Sequence, residues 1–221
     1  MSKMVKQSKL NTNKSGVLNN VLNTVGLLLI IFSALILVLI FFPVIKEEFR
    51  YNLNIIKKVE YVVNSNPTEN QKELTPPNKD FSIIIPRIGV VAPVVANVDW
   101  QNPSAFLPAL KKGVAHARGT AFPGEEGNSY IFAHSTDAFY NVGEYNAIFY
   151  LLGKLREGDE IDVFYKSERY IYKVYEVKVV EASEVKYLGK IKEGKETLTL
   201  QTCYPPGTTL KRLVVLAEKK L

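Results

Sequence analysis

The chain contains one apolar segment that restricts its architecture more than any other feature. Residues 25–45 run for 21 positions without a charged side chain, broken only by Gly26, Ser33 and Pro43. A hydrocarbon layer about 30 Å thick needs roughly 20 helical residues to cross it. A cleaved signal peptide has an apolar region of only about 7–15 residues, followed by a small-residue cleavage site, and residues 40–44 offer no such site. The segment therefore predicts a retained transmembrane helix.

The charges on either side of this helix predict its orientation. Four lysines and no acidic residue precede it, whereas all 22 acidic residues follow it. Short lysine-rich segments next to a membrane helix stay in the cytoplasm, so we expect residues 1–24 to form a cytoplasmic basic arm and the rest to be extracellular. The rest of the chain, beyond the arm, contains 24 basic and 22 acidic residues. Most of the net charge of +6 therefore lies in the lysine-rich arm beside the membrane helix. It does not indicate nucleic-acid binding.

Two segments with different composition follow the helix. Residues 46–64 mix charged and apolar side chains at roughly helical spacing, and residues 65–79 contain three prolines, as flexible linkers do. We therefore expect a stalk over residues 46–79 that holds a domain away from the membrane. Residues 80–221 are rich in β-branched and aromatic side chains, and their number suffices for one domain with its own core.

The exported domain is predicted to be mostly β. We predict strands, each bordered by turn residues, at 81–85, 88–95, 129–134, 160–165, 170–180, 197–203 and 213–218. Seven or eight such strands indicate a closed barrel. Two short helices are expected, one at residues 102–110, where Asn102 can cap and Pro103 can occupy the first turn, and one at residues 147–155, where leucine and isoleucine recur at helical spacing.

The only cysteine, Cys203, follows the alternating segment 197–202 and precedes the turn sequence 204–207. A strand that ends at a turn places the thiol at an open end of the sheet, where a nucleophile is accessible. Leu198 and Leu200 share one face, so Cys203 lies with the polar residues on the other. Free cysteine is nevertheless often a small buried hydrophobe. From the residue alone, a packed thiol and a reactive thiol both remain open.

Few other side chains could support catalysis. The sequence has two histidines, His116 and His134, and no CxxC, HExxH or zinc-type His/Cys spacing, so neither a metal nor another cofactor is predicted. A cysteine nucleophile needs a base or ion-pair partner, and a cation or amide donors for the oxyanion. Arg212 lies nine residues beyond Cys203 and opens the apolar segment 213–216. His134 follows an apolar strand at a polar turn, which favours it only weakly over His116 as the partner.

These motifs, in this order, resemble the sortases, a family of membrane-anchored cysteine transpeptidases. Residues 197–203, TLTLQTC, are similar to the T-L-x-T-C strand of the family, and residues 212–215, RLVV, follow at the usual short distance. Residues 81–90, FSIIIPRIGV, resemble the opening strand with its I-P-x-I-G core. Residues 123–134 and 155–161 resemble two further family segments. Together these similarities span essentially the whole predicted domain.

The resemblance implies a sortase-type closed β-barrel and a role for each of three residues. By this resemblance, Cys203 is the nucleophile, His134 is the general acid/base or imidazolium partner, and Arg212 holds the substrate carbonyl and its developing oxyanion. His116 has no catalytic counterpart, and Ala133 stands where the family often has glycine. The implied reaction cleaves a sorting motif similar to Leu-Pro-x-Thr-Gly through a cysteine thioester. The acyl group would pass from a surface protein to an amine of a cell-wall precursor or a pilin lysine.

Two alternatives are weighed against this interpretation. An L,D-transpeptidase is also an exported β-rich cysteine enzyme. In the sequence pattern of that family, however, glycine precedes the cysteine and arginine follows it very closely. Thr202 and the nine-residue separation of Cys203 from Arg212 argue against it. In a non-catalytic, membrane-anchored binding domain, Cys203 would merely be packed and inert to alkylation.

Overall fold

The computed structural model describes residues 2–57, 59–63, 67, 69, 71–136, 145, 147–189 and 192–220. Contacts divide the chain into two units, residues 1–42 and residues 43–221. The first helix, α1 (Ser2–Ile56), begins in the first unit and ends in the second.

The first unit contains the candidate membrane anchor. In the described part of the chain, Asn19–Leu39 is the one helical segment long and apolar enough to cross a membrane, with a mean hydropathy of 2.7. Its large apolar side chains are exposed. Because such a surface is costly in water and suited to hydrocarbon, the segment qualifies as an anchor. It overlaps the predicted span, residues 25–45.

The second unit is built around a closed β-barrel. The described strands are β1 (Glu60–Val63), β2 (Gln71–Leu74), β3 (Phe81–Ile85), β4 (Val90–Val98), β5 (Val114–Ala117), β6 (Gly127–Phe132), β7 (Glu160–Tyr165), β8 (Glu168–Glu181), β9 (Glu196–Tyr204) and β10 (Lys211–Lys219). Eight of them close in the order β10-β8-β7-β3-β4-β5-β6-β9. The predicted fold class, a mostly β chain with a closed barrel, is confirmed. The seven predicted strands overlap β3, β4 and β6–β10, whereas β5 is not predicted.

Strand β3 is buried on both faces, which explains why four of its five residues are apolar. Ile83 and Ile85 point into the main core inside the barrel. Ile84 points outward and packs in a second cluster with Val63 of β1, Leu74 of β2 and Phe164. The parallel pair β1–β2 therefore covers the outside of the barrel.

Strands β1 and β2 lie within residues 46–79, the predicted stalk. Each has four residues, and side chains such as Lys72 and Glu73 are exposed, so neither strand has a recognisable apolar period. Positions 58, 64–66, 68 and 70 of the predicted stalk lie outside the described residues.

The end of α1 also packs against the barrel. The carboxylate of Glu48 accepts a hydrogen bond from Lys154 Nζ at 2.7 Å, and Arg50 Nη1 donates to the carbonyl oxygen of Gly89 at 3.3 Å. Tyr51 packs against the main core. This part of the predicted stalk is thus fixed to the barrel by side-chain contacts.

The first predicted short helix is present as α2 (Pro103–Leu110). The side chain of Asn102 caps it by accepting a hydrogen bond from the Ser104 N–H at 3.0 Å, and Pro103 occupies the first turn. Helix α2 packs beside β4 and β5 and forms one wall of the cavity described below.

The second predicted helix, residues 147–155, differs from the structure. The chain forms a 3-10 helix over Tyr150–Lys154, in which the N–H of Leu152 donates to the carbonyl of Phe149 at 3.2 Å. Leu151 and Leu152 are both buried, although they are adjacent in sequence. The 3-10 form is common in such short pieces, and a helix of this length gains little from α-helical cooperativity.

Candidate active site

Strands β9 and β10 place the predicted nucleophile and cation side by side. The two strands are antiparallel, and Arg212 lies directly opposite Cys203. Residues directly opposite each other in such a pair point to the same face, with Cβ atoms about 4.5–5.5 Å apart. Cys203 is a free thiol of intermediate exposure. The structure therefore brings the thiol and the guanidinium to one face of the barrel wall, beside the β9–β10 turn.

Strand β6 brings His134 to the same end of the sheet. It runs parallel to β9, and its last pairing joins Phe132 to Gln201. One residue further along, the Ala133 N–H donates to the carbonyl of Gln201 at 3.1 Å, and the buried Thr202 hydroxyl donates to the carbonyl of Ala133 at 2.9 Å. The backbone that leads into His134 is thus bonded to the strand that carries the cysteine.

A cavity of about 450 Å³ contains all three predicted site residues. Its described lining is Trp100, Phe106, Leu107, Leu110, Tyr130, Phe132, Ala133, His134, Ala182, Glu184, Val185, Leu188, Gln201, Cys203, Thr209 and Arg212. Polar groups converge at the strand ends, while α2 and the β8–β9 connection supply apolar walls. A groove of this size with few polar groups is typical of a binding site for a short peptide or small ligand.

Arg212 has donors available in this cavity. Its Nη1 atom donates to the carbonyl oxygens of Thr209 and Lys211, each at 3.0 Å. Among the described residues, no carboxylate forms an ion pair with this guanidinium. Because a guanidinium carries five N–H donors, the remaining ones can reach a bound oxygen atom.

His116 lies outside the cavity and has a structural role. Its side chain is completely buried and stacks on Phe122 with the ring centroids 4.5 Å apart. Nε2 donates to the carbonyl of Ala121 at 3.0 Å, and Nδ1 accepts from the Asn97 N–H at 3.4 Å. Burial lowers the pKa of His116 and thereby favours the neutral ring. Both ring nitrogens of this neutral ring are engaged in hydrogen bonds. The structure therefore gives the two histidines different environments, His116 in the core and His134 at the cavity, whereas sequence patterns distinguish them only weakly.

The cavity also contains two polar residues that the sequence analysis does not select, Tyr130 and Gln201. The Tyr130 hydroxyl donates to Gln201 Oε1 at 2.6 Å. Burial raises the pKa of Tyr130, and the nearby charge of Arg212 opposes this shift. Gln201 shares its face of β9 with Cys203, so strand alternation alone could have identified it.

No metal centre is evident in the part of the chain that the structure describes: no group of three or more His, Cys, Asp or Glu side chains there could hold an ion. The described lining of the cavity offers a thiol, an imidazole and a guanidinium beside apolar side chains.

Comparisons with known proteins identify the family to which the barrel belongs. The family model of the Sortase domain matches residues 83–220. Sortase D of Bacillus subtilis (strain 168) is 25% identical over 138 residues, which cover 61% of this chain and 61% of that protein, less than two thirds of its length. A lid mutant of sortase A from Corynebacterium diphtheriae superimposes with a TM-score of 0.53 at 28% identity, over 65% of this chain and 71% of that one.

A sortase D5 transpeptidase from Clostridium perfringens superimposes with the same TM-score of 0.53 at 26% identity, over 67% of this chain and 83% of that one. The region matched by the family model, residues 83–220, includes all of the barrel except the first two residues of β3, and it contains every residue of the candidate site from Tyr130 to Arg212. The family model covers more than half of the sequence, and this chain belongs to the sortase family.

Proposed function

We propose that this protein is a membrane-anchored cysteine transpeptidase that cleaves a sorting motif similar to Leu-Pro-x-Thr-Gly and transfers the acyl part to an amine. One observation carries the proposal: Cys203 lies opposite Arg212 on adjacent strands, and His134 lines the same cavity. Family membership supports transpeptidase chemistry, and the cavity supplies one residue for each chemical task.

In the first half of the reaction, the Cys203 thiolate attacks the carbonyl carbon of the residue before the scissile bond. The carbonyl oxygen becomes an oxyanion, which accepts hydrogen bonds from Arg212. When the oxyanion collapses, the C–N bond breaks and a C–S thioester remains. The leaving amine takes a proton from His134.

In the second half, an acceptor amine attacks the thioester carbonyl. His134, now neutral, removes a proton from this amine, the C–S bond breaks and Cys203 leaves as the thiolate. The product is a new amide, and His134 and Cys203 return to their starting states. Neither half requires a metal or another cofactor.

Arg212 suits the oxyanion task for two reasons. A guanidinium stays charged at all physiological pH values and presents several donors in a fixed plane. Donors aimed at developing negative charge contribute strongly to catalysis, and removal of one typically reduces kcat by about 10²–10³. The hydrogen bonds from Nη1 to the carbonyl oxygens of Thr209 and Lys211 restrict the guanidinium before substrate binds.

The apolar walls of the cavity fit the leucine and proline of such a motif. Phe106, Leu107 and Leu110 come from α2, and Val185 and Leu188 come from the β8–β9 connection. Burying a leucine side chain stabilises a complex by about 1.5–3 kcal/mol. The proposed partners are surface proteins with a C-terminal sorting signal, together with a cell-wall precursor or a pilin lysine that supplies the amine.

The proposed location follows from the candidate anchor. A single helix at residues 25–45, which overlaps the candidate segment Asn19–Leu39, would span the cell membrane once. The lysine-rich arm before it would remain in the cytoplasm, and the barrel would face the cell wall. We propose four parts for the chain: the arm at residues 1–24, the membrane helix at 25–45, the stalk at 46–79 and the catalytic domain at 80–221.

Intact-mass spectrometry of the full-length protein in detergent micelles tests the proposal. The protein is incubated with a panel of sorting-motif peptides and no amine, beside Cys203→Ala as the matched control. We expect a mass increase equal to the acyl fragment in the wild type only, reversed by adding hydroxylamine. Absence of an adduct with every peptide, together with a thiol that resists iodoacetamide in the folded protein, would instead support a binding domain with a packed cysteine.

A further inference from the structure

Gln201 occupies a place in the cavity that the reaction described above leaves without a role. It lies two residues before Cys203 on β9, and both side chains line the cavity. Resting on the proposed transpeptidase function, we propose that the Gln201 amide positions the sorting peptide by donating a hydrogen bond to the backbone carbonyl two residues before the attacked one. Gln201 would thus be a positioning residue that contacts substrate without taking part in bond making.

The first argument is that Gln201 is held in one orientation. The Tyr130 hydroxyl donates to Gln201 Oε1 at 2.6 Å, so the carbonyl end of the side-chain amide already has a hydrogen-bond partner. Tyr130 is itself buried in a cluster with Tyr187 and Val214. An anchored hydroxyl on a buried ring fixes the direction of the amide at little entropic cost when substrate binds.

The second argument is that the nitrogen end of the same amide remains available. Among the described residues, no group accepts a hydrogen bond from Gln201 Nε2, and the side chain is only partly buried. The NH₂ group carries two donors and no acceptor. The group that it can recognise in a ligand is therefore an acceptor, and in a peptide the acceptor present at every residue is the backbone carbonyl.

The third argument is the spacing along β9. Two residues of strand span about 6.6–6.8 Å, and an extended peptide alongside it advances by the same amount. Carbonyls two residues apart in an extended chain point to the same side. A peptide whose attacked carbonyl faces Cys203 and Arg212 therefore presents the carbonyl two residues earlier to Gln201. In a Leu-Pro-x-Thr-Gly motif this carbonyl belongs to the proline.

The direction of the peptide follows from the walls of the cavity. Trp100 and Leu188 pack against the cluster that contains Tyr130, so the apolar part of the cavity adjoins Gln201. The apolar start of the motif therefore extends from Cys203 past Gln201, and the leaving fragment exits at the β9–β10 turn.

Steady-state kinetics of full-length Gln201→Met in detergent micelles test this role, with the probe peptide Leu-Pro-Ala-Thr-Gly and hydroxylamine as the amine. Methionine keeps the length of the side chain and removes its donors. We expect KM to rise about 2- to 12-fold, as for the loss of one neutral hydrogen bond, with kcat within about twofold of wild type. Gln101→Met, the same change at an exposed position outside the cavity, should alter neither constant.

Tyr130→Phe is the second variant, because it keeps the buried ring and removes only the hydroxyl that holds Gln201. It should raise KM by less than Gln201→Met does. The double variant should resemble Gln201→Met alone, since the hydroxyl acts through the amide. An unchanged KM in both single variants, with melting temperatures equal to that of wild type, contradicts the positioning role.

A modified peptide identifies the recognised atom. An (E)-alkene in place of the Pro–Ala amide removes the proline carbonyl while keeping the chain extended. The alkene should lower kcat/KM more in the wild type than in Gln201→Met, by the same 2- to 12-fold margin, because the variant has already lost the hydrogen bond. Equal losses in both proteins would overturn the proposal while leaving the transpeptidase function intact. No turnover of the parent peptide by the wild type would overturn both.

Discussion

Arg212 lies directly opposite Cys203 in the antiparallel pair of β9 and β10. The register of this pair determines which side chains share a face, because a shift by one residue would turn every side chain of β10 to the other side. Leu213 and Val215 fill the main core from the alternate positions of β10. The packing of the barrel thereby enforces the register that places Arg212 opposite Cys203.

Arg212→Ala should reduce kcat by about 10²–10³ while leaving the fold unchanged, because it removes donors for the oxyanion from a partly exposed side chain. Arg212→Lys should recover only part of this loss, since an ammonium lacks the planar fork. Turnover of a fluorogenic sorting peptide measures the effect. Arg156→Ala, at an exposed arginine outside the cavity, is the matched control, and equal activities of the two alanine variants would exclude an oxyanion role.

The two histidines should respond in opposite ways to substitution. His134→Gln should lower turnover by about 10²-fold or more with little change in Tm, because it removes the proton donor and acceptor. His116→Gln should keep most of the activity but lower stability by about 1–3 kcal/mol, because it disturbs buried hydrogen bonds. Thermal unfolding and peptide turnover of both variants measure this contrast. A His116 variant that is inactive yet as stable as wild type would contradict the assignment.

His116 should also make the protein less stable at mildly acidic pH. Burial lowers its pKa below the ordinary value of 6.5, so below pH 6.5 the unfolded state binds a proton that the folded state does not. The stability contributed by the neutral ring is therefore complete above pH 6.5 and declines as the pH falls towards the folded-state pKa. The apparent Tm, followed by near-UV circular dichroism, should decrease as the pH is lowered below 6.5. The plot of Tm against pH should be flatter for His116→Gln. Identical profiles would exclude His116 as the source.

The barrel and part of the site could be predicted because their residues leave a periodic pattern in the sequence. Strands such as β7 and β9 are predicted almost to their ends. Strand β5 has no such pattern, because its four residues, VAHA, are all buried, and so short a run does not distinguish a strand from other buried structure.

The geometry of the site depends on long-range pairing that local patterns do not contain. The alternation of β9 predicts that Cys203 faces away from Leu198 and Leu200, but only the parallel pairing of β6 with β9 determines that His134 joins it. Likewise, the hydrogen bond between Tyr130 and Gln201 joins residues 71 positions apart. Strand alternation places Gln201 on the face of Cys203, but no local pattern in the sequence pairs it with Tyr130.

Gly89→Ala should destabilise the contact between the barrel and the segment that precedes it. Gly89 has a φ of +62°, and an added Cβ would lie 2.9 Å from the ring of Tyr61. Gly119→Ala is the matched control, because Gly119 also has a positive φ, +85°, but nothing lies within 4 Å of its added Cβ. Backbone strain of about 1–2 kcal/mol is common to both substitutions. Gly89→Ala should therefore lower Tm by several degrees more than Gly119→Ala. Equal shifts in Tm would show that the Tyr61 ring does not restrict the side chain at position 89.

The single cysteine allows the proposed orientation to be measured in intact cells. Cys203 is the only thiol in the chain and is partly exposed in an open cavity. If the barrel is extracellular, a membrane-impermeant maleimide should label the protein in intact protoplasts, and Cys203→Ala should remain unlabelled. In the Cys203→Ala background, Ser8→Cys places a thiol in the lysine-rich arm and should be labelled only after the membrane is permeabilised. Labelling of Ser8→Cys in intact protoplasts, with protection of Cys203, would reverse the orientation and place the barrel in the cytoplasm, where a cell-wall transpeptidase could not reach its acceptor.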